Sequence, residues 1–145
     1  MMDCGAPVCT PSNSTWKGRG GAYRTMATIL IIDDEAGIRA LLRTTLEAAG
    51  YEVMEAANGR QGLALYRLRP SDLIITDILM PELTGLDMLL ELTREFLHAK
   101  VIAISGVGGE NNALDSAKLL GARRTFHKPF SMPKLLDAVR YELEH

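Results

Sequence analysis

Cysteine is scarce in this chain of 145 residues: Cys4 and Cys9 are the only two, and both lie in a stretch without a folding pattern. Disulfides therefore do not hold the fold together, and a reducing, cytoplasmic setting is expected. The pair is at most half of a tetrahedral metal site, because no further cysteine follows and no histidine is near. Long hydrophobic runs are missing too. None approaches the ~18 residues needed to cross a bilayer, which excludes a membrane-spanning chain. There is no excess of positive charge, with 16 Lys and Arg against 18 Asp and Glu and a formal net charge of -2. Generic binding to nucleic acid or to an anionic membrane is thereby disfavoured. The three histidines, His98, His127 and His145, are too scattered to form a catalytic or metal cluster. What remains is an ordinary globular composition, 47% hydrophobic and 23% charged, sufficient for one domain with its own core.

Residues 1–25 stand apart. They contain Gly5, Gly18, Gly20 and Gly21, Pro7 and Pro11, and the run Ser12-Asn13-Ser14-Thr15, with no apolar periodicity. Such a segment is expected to be disordered or poorly ordered, and it lacks the basic start and apolar centre of a signal peptide. Met26 directly precedes the first apolar run and is a candidate start of the native protein, which a mass measurement on natively expressed protein decides. The domain is expected to occupy residues 26–145.

From residue 27 the pattern alternates strand and helix. Residues 27–32 form an apolar run suited to a strand buried on both faces. Ile38, Leu41, Leu42 and Leu46 then fall on one helical stripe, closed by Gly50. A second strand spans 51–56. Asn58-Gly59 predicts a turn, and a helix with Leu65 and Leu68 inward runs to Pro70. The third strand, 73–76, ends at Asp77. After a loop at 81–85, Leu86, Leu89, Leu90 and Thr93 mark a helix face. The fourth strand, 101–104, ends at Ser105 before a glycine-rich loop at 106–109. A shorter helix at about 113–120 stops at Gly121. The fifth strand, 124–127, ends at Lys128-Pro129. Ser131 caps a last helix, with Pro133 in its first turn and Met132, Leu135, Leu136, Val139 and Leu143 inward. Five strands alternating with five helices predict a doubly wound α/β fold with a parallel sheet.

In such sheets a site forms outside the carboxyl ends of the strands, where strand order reverses. Those ends are polar: Asp33 and Asp34 after the first strand, Asp77 after the third, Ser105 after the fourth and Lys128 after the fifth. Carboxylates gathered at one edge repel one another, by about 3 kcal/mol for two charges ~5 Å apart at an effective dielectric of ~20. A cation must offset that repulsion, and hard oxygen ligands suit Mg2+. Lys128 adds a fixed positive charge and Ser105 a hydroxyl. Metal, ammonium and hydroxyl can each neutralise or hydrogen-bond one oxygen of a phosphoryl group, which leaves one carboxylate free to act as the nucleophile.

The motifs Ile29-Leu30-Ile31-Ile32-Asp33-Asp34-Glu35, Asp77-Ile78-Leu79-Met80-Pro81 with Gly85, Ile102-Ala103-Ile104-Ser105, Gly121-Ala122 and Lys128-Pro129-Phe130 appear in order on the right elements. Over about residues 28–143 the chain resembles a response-regulator receiver domain of two-component signalling. The resemblance implies a flavodoxin-like sheet of strand order 2-1-3-4-5. It implies that Asp77 accepts a phosphoryl group from a sensor histidine kinase or histidine phosphotransfer protein. It further implies that Asp33, Asp34 (the more direct ligand), Asp77 and the Leu79 carbonyl hold Mg2+. Ser105 becomes the switch hydroxyl, and Lys128 the phosphoryl-contacting lysine, whose following proline is typically cis. Output is expected through protein contacts on the face of the fourth helix, fifth strand and fifth helix, with homodimerisation on activation left open. Because the chain stops two residues past its last core position, it is expected to be a stand-alone regulator or a fragment of a larger regulator or hybrid kinase.

The chain departs from the pattern at named positions. Thr125 stands where receivers usually place an aromatic that couples to the hydroxyl, and Phe126 should face the other side of the strand. Arg123 and Arg124 replace the usual acidic residues, and a solvated basic edge is expected there. Gly106 stands where alanine is usual. Leu79 and Val107 occupy positions where some receivers carry polar side chains that orient water, which predicts slow self-dephosphorylation. Two alternatives are a haloacid-dehalogenase-like phosphatase, whose nucleophile would instead follow the first strand in an Asp-x-Asp pattern, and a degenerate receiver that binds partners without phosphorylation.

Overall fold

A computed structural model describes residues 27–78, 85–105, 117–118 and 120–145. Five strands run β1 (Thr28–Ile32), β2 (Glu52–Ala56), β3 (Leu73–Asp77), β4 (Val101–Ser105) and β5 (Arg124–His127). They are joined by helices α1 (Ala36–Ala48), α2 (Gly59–Leu68) and α3 (Gly85–Glu95), and α4 (Met132–Glu144) follows β5. The expectations for residues 1–26, Leu79, Met80, the loops around Pro81 and Gly106–Gly109, and most of the helix at 113–120 lie outside the described residues. Among the described residues, no helix is long and apolar enough to cross a membrane.

Every strand pair is parallel and the order is β2-β1-β3-β4-β5, as expected. β1, β3 and β4 are buried along their whole length, because helices cover both faces of the sheet. On one face Leu42 and Leu46 of α1 and Leu135, Ala138, Val139 and Leu143 of α4 pack on Ile29, Ile31, Ile75, Ile102 and Ile104. On the other, Leu63 and Tyr66 of α2 and Met88, Leu89 and Leu92 of α3 pack on Leu30, Ile32, Ile74 and Ala103. The chain leaves β1 toward β2 on one side and returns to β3 on the other, so the strand order reverses between β1 and β3. That reversal opens the crevice.

Three leucines contradict the expected stripes. Leu41, Leu68 and Leu90 are exposed, Leu68 to 83%. At 100° per residue, Leu68 sits opposite the buried Gly59, Gly62, Leu63 and Tyr66, and Leu41 and Leu90 lie well off the buried arcs of their helices. Asn58 and Gly59 do not form a separate turn. Asn58 caps α2, its Oδ1 accepting from the Gln61 N–H at 2.8 Å, and Gly59 is the first helical residue. Ser131 caps α4 in the same way, through the Lys134 N–H. Gly50 takes φ 99° at the end of α1, as the helix stop requires.

Strand alternation holds in β5. Thr125 pairs in register with Ala103, and Phe126 pairs with Ile104 and packs toward α4 beside Phe130. The arginines before β5 are not simply solvated. Arg123 and Arg124 both reach the Glu142 carboxylate of α4, at 3.4 and 3.1 Å, and Glu142 is only 5% exposed. An acid lost from the strand is thus answered by one on the helix behind it.

Candidate functional site

The first strand delivers Asp33 to the crevice and the turn into α1 fixes it there. The Asp33 N–H donates to the Ala56 carbonyl at 3.1 Å, so the residue stays in register with β2. Its Oδ1 accepts from the Glu35 N–H at 2.8 Å, an Asx-type turn that starts α1. Its carbonyl accepts from Arg39 Nη1 at 2.6 Å, while Arg39 Nε donates to Glu55 on β2 at 3.2 Å. Every polar group of Asp33 is therefore held, counting the bond from Lys128 described next. Asp77 closes β3 and is buried. Lys128 follows β5 by one residue, its N–H donating to the Ser105 carbonyl at 2.7 Å, and its peptide bond to Pro129 is cis, as the resemblance implies.

These elements bring one ammonium against three carboxylates. Lys128 Nζ donates to Asp33 Oδ2 at 3.0 Å, to Asp77 Oδ2 at 2.9 Å and to Glu35 Oε1 at 2.9 Å. Burial pushes the Asp33 carboxyl above its usual range. Hydrogen bonds from the Glu35 N–H and from Lys128 offset this in part, and the nearby Asp77 charge adds to it. Burial alone would lower the Lys128 ammonium. The hydrogen bonds to Glu35, Asp77 and Asp33 outweigh it and hold the group above the ordinary lysine range. Lys128 is thus a fixed cation, and the cluster keeps an excess of negative charge.

Ser105 ends β4 next to Asp77, whose register partner is Ile104. Its hydroxyl is fully buried and has no hydrogen-bond partner among the described residues. Leaving a buried hydroxyl unmatched costs about 1–3 kcal/mol, and an unpaired donor beside a carboxylate crevice suits a ligand oxygen. Carboxylate oxygens of Asp33, Glu35 and Asp77 lie within 4.8 Å of one another, an all-oxygen donor set that fits a hard divalent cation. Asp34 is exposed and is not part of that cluster. Leu79 lies outside the described residues. Sequence reasoning missed Glu35 and Arg39. The acidic run Asp33-Asp34-Glu35 is visible in the sequence, but the turn decides which of its carboxylates reaches the lysine.

The chain is similar in sequence and in fold to known proteins. Residues 29–140 match the response regulator receiver domain. The chemotaxis protein CheY of Thermotoga maritima is 35% identical over 112 residues, which is 77% of this chain and 92% of that relative. Sporulation initiation phosphotransferase F of Bacillus subtilis is also 35% identical, over 77% of this chain and 90% of its own length. The solved structure of chemotaxis protein CheY4 of Vibrio cholerae superposes with a TM-score of 0.74 at 30% identity, covering 81% of this chain and 98% of that one. The chain belongs to the response regulator receiver domain family.

Proposed function

We propose that this domain is a phosphorylation switch whose acceptor is Asp77. A sensor histidine kinase or histidine phosphotransfer protein presents phosphohistidine. An Asp77 carboxylate oxygen attacks phosphorus in line, the phosphorus–nitrogen bond breaks, and its electron pair leaves with the imidazole. Lys128, already on Asp77 Oδ2, stays beside the phosphoryl group and offsets its charge. The Ser105 hydroxyl supplies a donor to a phosphoryl oxygen. By the resemblance Asp33, Asp34, Asp77 and the Leu79 carbonyl would hold Mg2+, while in this structure Glu35 rather than Asp34 joins Asp33 and Asp77 in one oxygen cluster; the ion, when bound, would neutralise charge on the transferring group. One observation supports the reading above the others: a single ammonium bonded to both Asp33 and Asp77, with a buried hydroxyl at the next strand end that has no partner among the described residues.

The signal then leaves through protein contacts made by β5, α4 and residues of the segment at 113–120, in a cytoplasmic setting. Slow self-dephosphorylation follows from the apolar Leu79 and Val107. Incubation with acetyl phosphate and Mg2+ tests the reading. A stable label on Asp77 is expected, and Asp77→Asn should reduce it by about 100-fold or more, as expected when a nucleophile is removed. Continuous turnover of the phosphodonor without a stable label would indicate a hydrolase. Absence of any label would indicate a receiver that works without phosphorylation.

A further inference from the structure

We infer that Glu35 is a gate on Lys128: its carboxylate holds the ammonium hydrogen bond that a phosphoryl oxygen on Asp77 takes over. The inference rests on the reading of Asp77 as the phosphoryl acceptor. An ammonium has three N–H donors and no more, and all three of Lys128 are spent, on Asp33, Asp77 and Glu35. A phosphoryl oxygen can be bonded by Lys128 only if one of these partners lets go.

The three partners differ in what release costs. The Asp33 and Asp77 side chains are 2% and 5% exposed, whereas that of Glu35 is 61% exposed. Freeing a buried carboxylate from its cation leaves its charge out of reach of solvent. Freeing Glu35 returns its carboxylate to water at little cost. Asp33 is further restrained by the bonds to its Oδ1, carbonyl and N–H. Glu35 sits at the N-cap of α1 without a side-chain capping bond, so its side chain has no helix-starting duty that holds it in place. It is the partner that leaves. Until it does, its negative charge also stands in the path of an incoming phosphate dianion. Both effects slow capture of the phosphoryl group and weaken its retention.

The test compares Glu35→Gln and Glu35→Asp with the unaltered protein at saturating Mg2+. It reads the initial rate of labelling by acetyl phosphate and the half-saturating concentration of beryllofluoride. Glu35→Gln should label roughly 10-fold faster and bind beryllofluoride tighter by a similar factor, the scale of a partly exposed charge-assisted bond. Glu35→Asp keeps the charge but shortens the reach by one methylene, and about a 3-fold gain is expected for loss of the contact alone. No change in either variant would overturn the gate. So would a change confined to the Mg2+ midpoint, which would make Glu35 a metal partner. A gain in Glu35→Gln with none in Glu35→Asp would overturn it as well, because a general charge field would then suffice. If the unaltered protein takes no label on Asp77, the acceptor reading itself fails and the gate falls with it. That outcome is visible before any variant is compared.

Discussion

The two ends of the same five strands obey different rules. At the amino end the polar groups are matched. The Thr28 N–H donates to Asp72 Oδ2 at 2.7 Å, and the Asp72 N–H returns a bond to the Thr28 carbonyl. Glu52 accepts from Arg69 at 3.1 Å. Lys100 Nζ reaches the Glu142 carbonyl at 2.6 Å, and the Glu142 carboxylate takes Arg123 and Arg124. At the carboxyl end three carboxylates share one ammonium, and a buried hydroxyl has no partner among the described residues. A chain selected only for stability would finish both ends alike. The contrast teaches that the amino end holds the sheet together, while the carboxyl end is left incomplete for a cation and a phosphoryl group to complete.

Substitutions of the polar groups at the two ends should therefore move stability in opposite directions, whereas a packing change at either end should destabilise. The largest effect is expected at the amino end. Glu142→Ala leaves Arg123 and Arg124 without their acid and opens space under α4, which should cost about 3 kcal/mol in urea unfolding. Labelling by acetyl phosphate should be nearly unchanged; a large fall would mean that the two ends are not independent. Next comes Gly62→Ala. A Cβ there would lie 2.4 Å from Ile32 Cδ1 and 2.7 Å from Cγ1, so α2 must lift from the end of β1 at about 2 kcal/mol. Because Ile32 precedes Asp33, calorimetry should also show weaker Mg2+ binding.

The smallest effects belong to the polar groups of the carboxyl end and carry the opposite sign. Ser105→Ala removes a buried hydroxyl that has no partner among the described residues and should stabilise by about 1 kcal/mol, a rise of about 4 °C in Tm. Asp33→Asn should stabilise the metal-free protein by a similar amount, about 1 kcal/mol, by relieving a buried charge. The Asp33 carboxyl is raised in the folded state, so the folded protein binds the extra proton and stability falls as pH climbs past the usual carboxylate range. The advantage of Asp33→Asn over the unaltered chain should be full at neutral pH. It should shrink as pH drops through the raised value, when Asp33 itself is neutral. An advantage that grew on acidification would contradict the burial argument.

Sequence reading and structure agree best where a residue type permits one conformation or one environment. Gly50 stops α1 with a positive φ, and Ser131 caps α4. The uninterrupted apolar runs of β1, β3 and β4 are buried on both faces. Agreement fails where leucine alone marks a face. Leu41, Leu68 and Leu90 look like core residues by composition and are exposed, since leucine is also a good helix former on a surface. Met88 and Leu92 carry the α3 contact instead. In the site, Asp33, Asp77, Ser105 and Lys128 are legible because each directly follows or ends a strand. Glu35 and Arg39 are not legible, because their roles depend on side chains that turn back toward residues far along the chain.

The sequence by itself determined that the strands are parallel, that β1, β3 and β4 are buried, and which residues stand at the carboxyl ends, because periodicity and chain order are local properties. Tertiary structure alone decided that Lys128 meets Glu35 as well as Asp33 and Asp77, that the Ser105 hydroxyl finds no partner among the described residues, and that Glu142 answers Arg123 and Arg124. Each of those facts depends on directions in space between residues far apart in the chain, and local pattern carries no information about them.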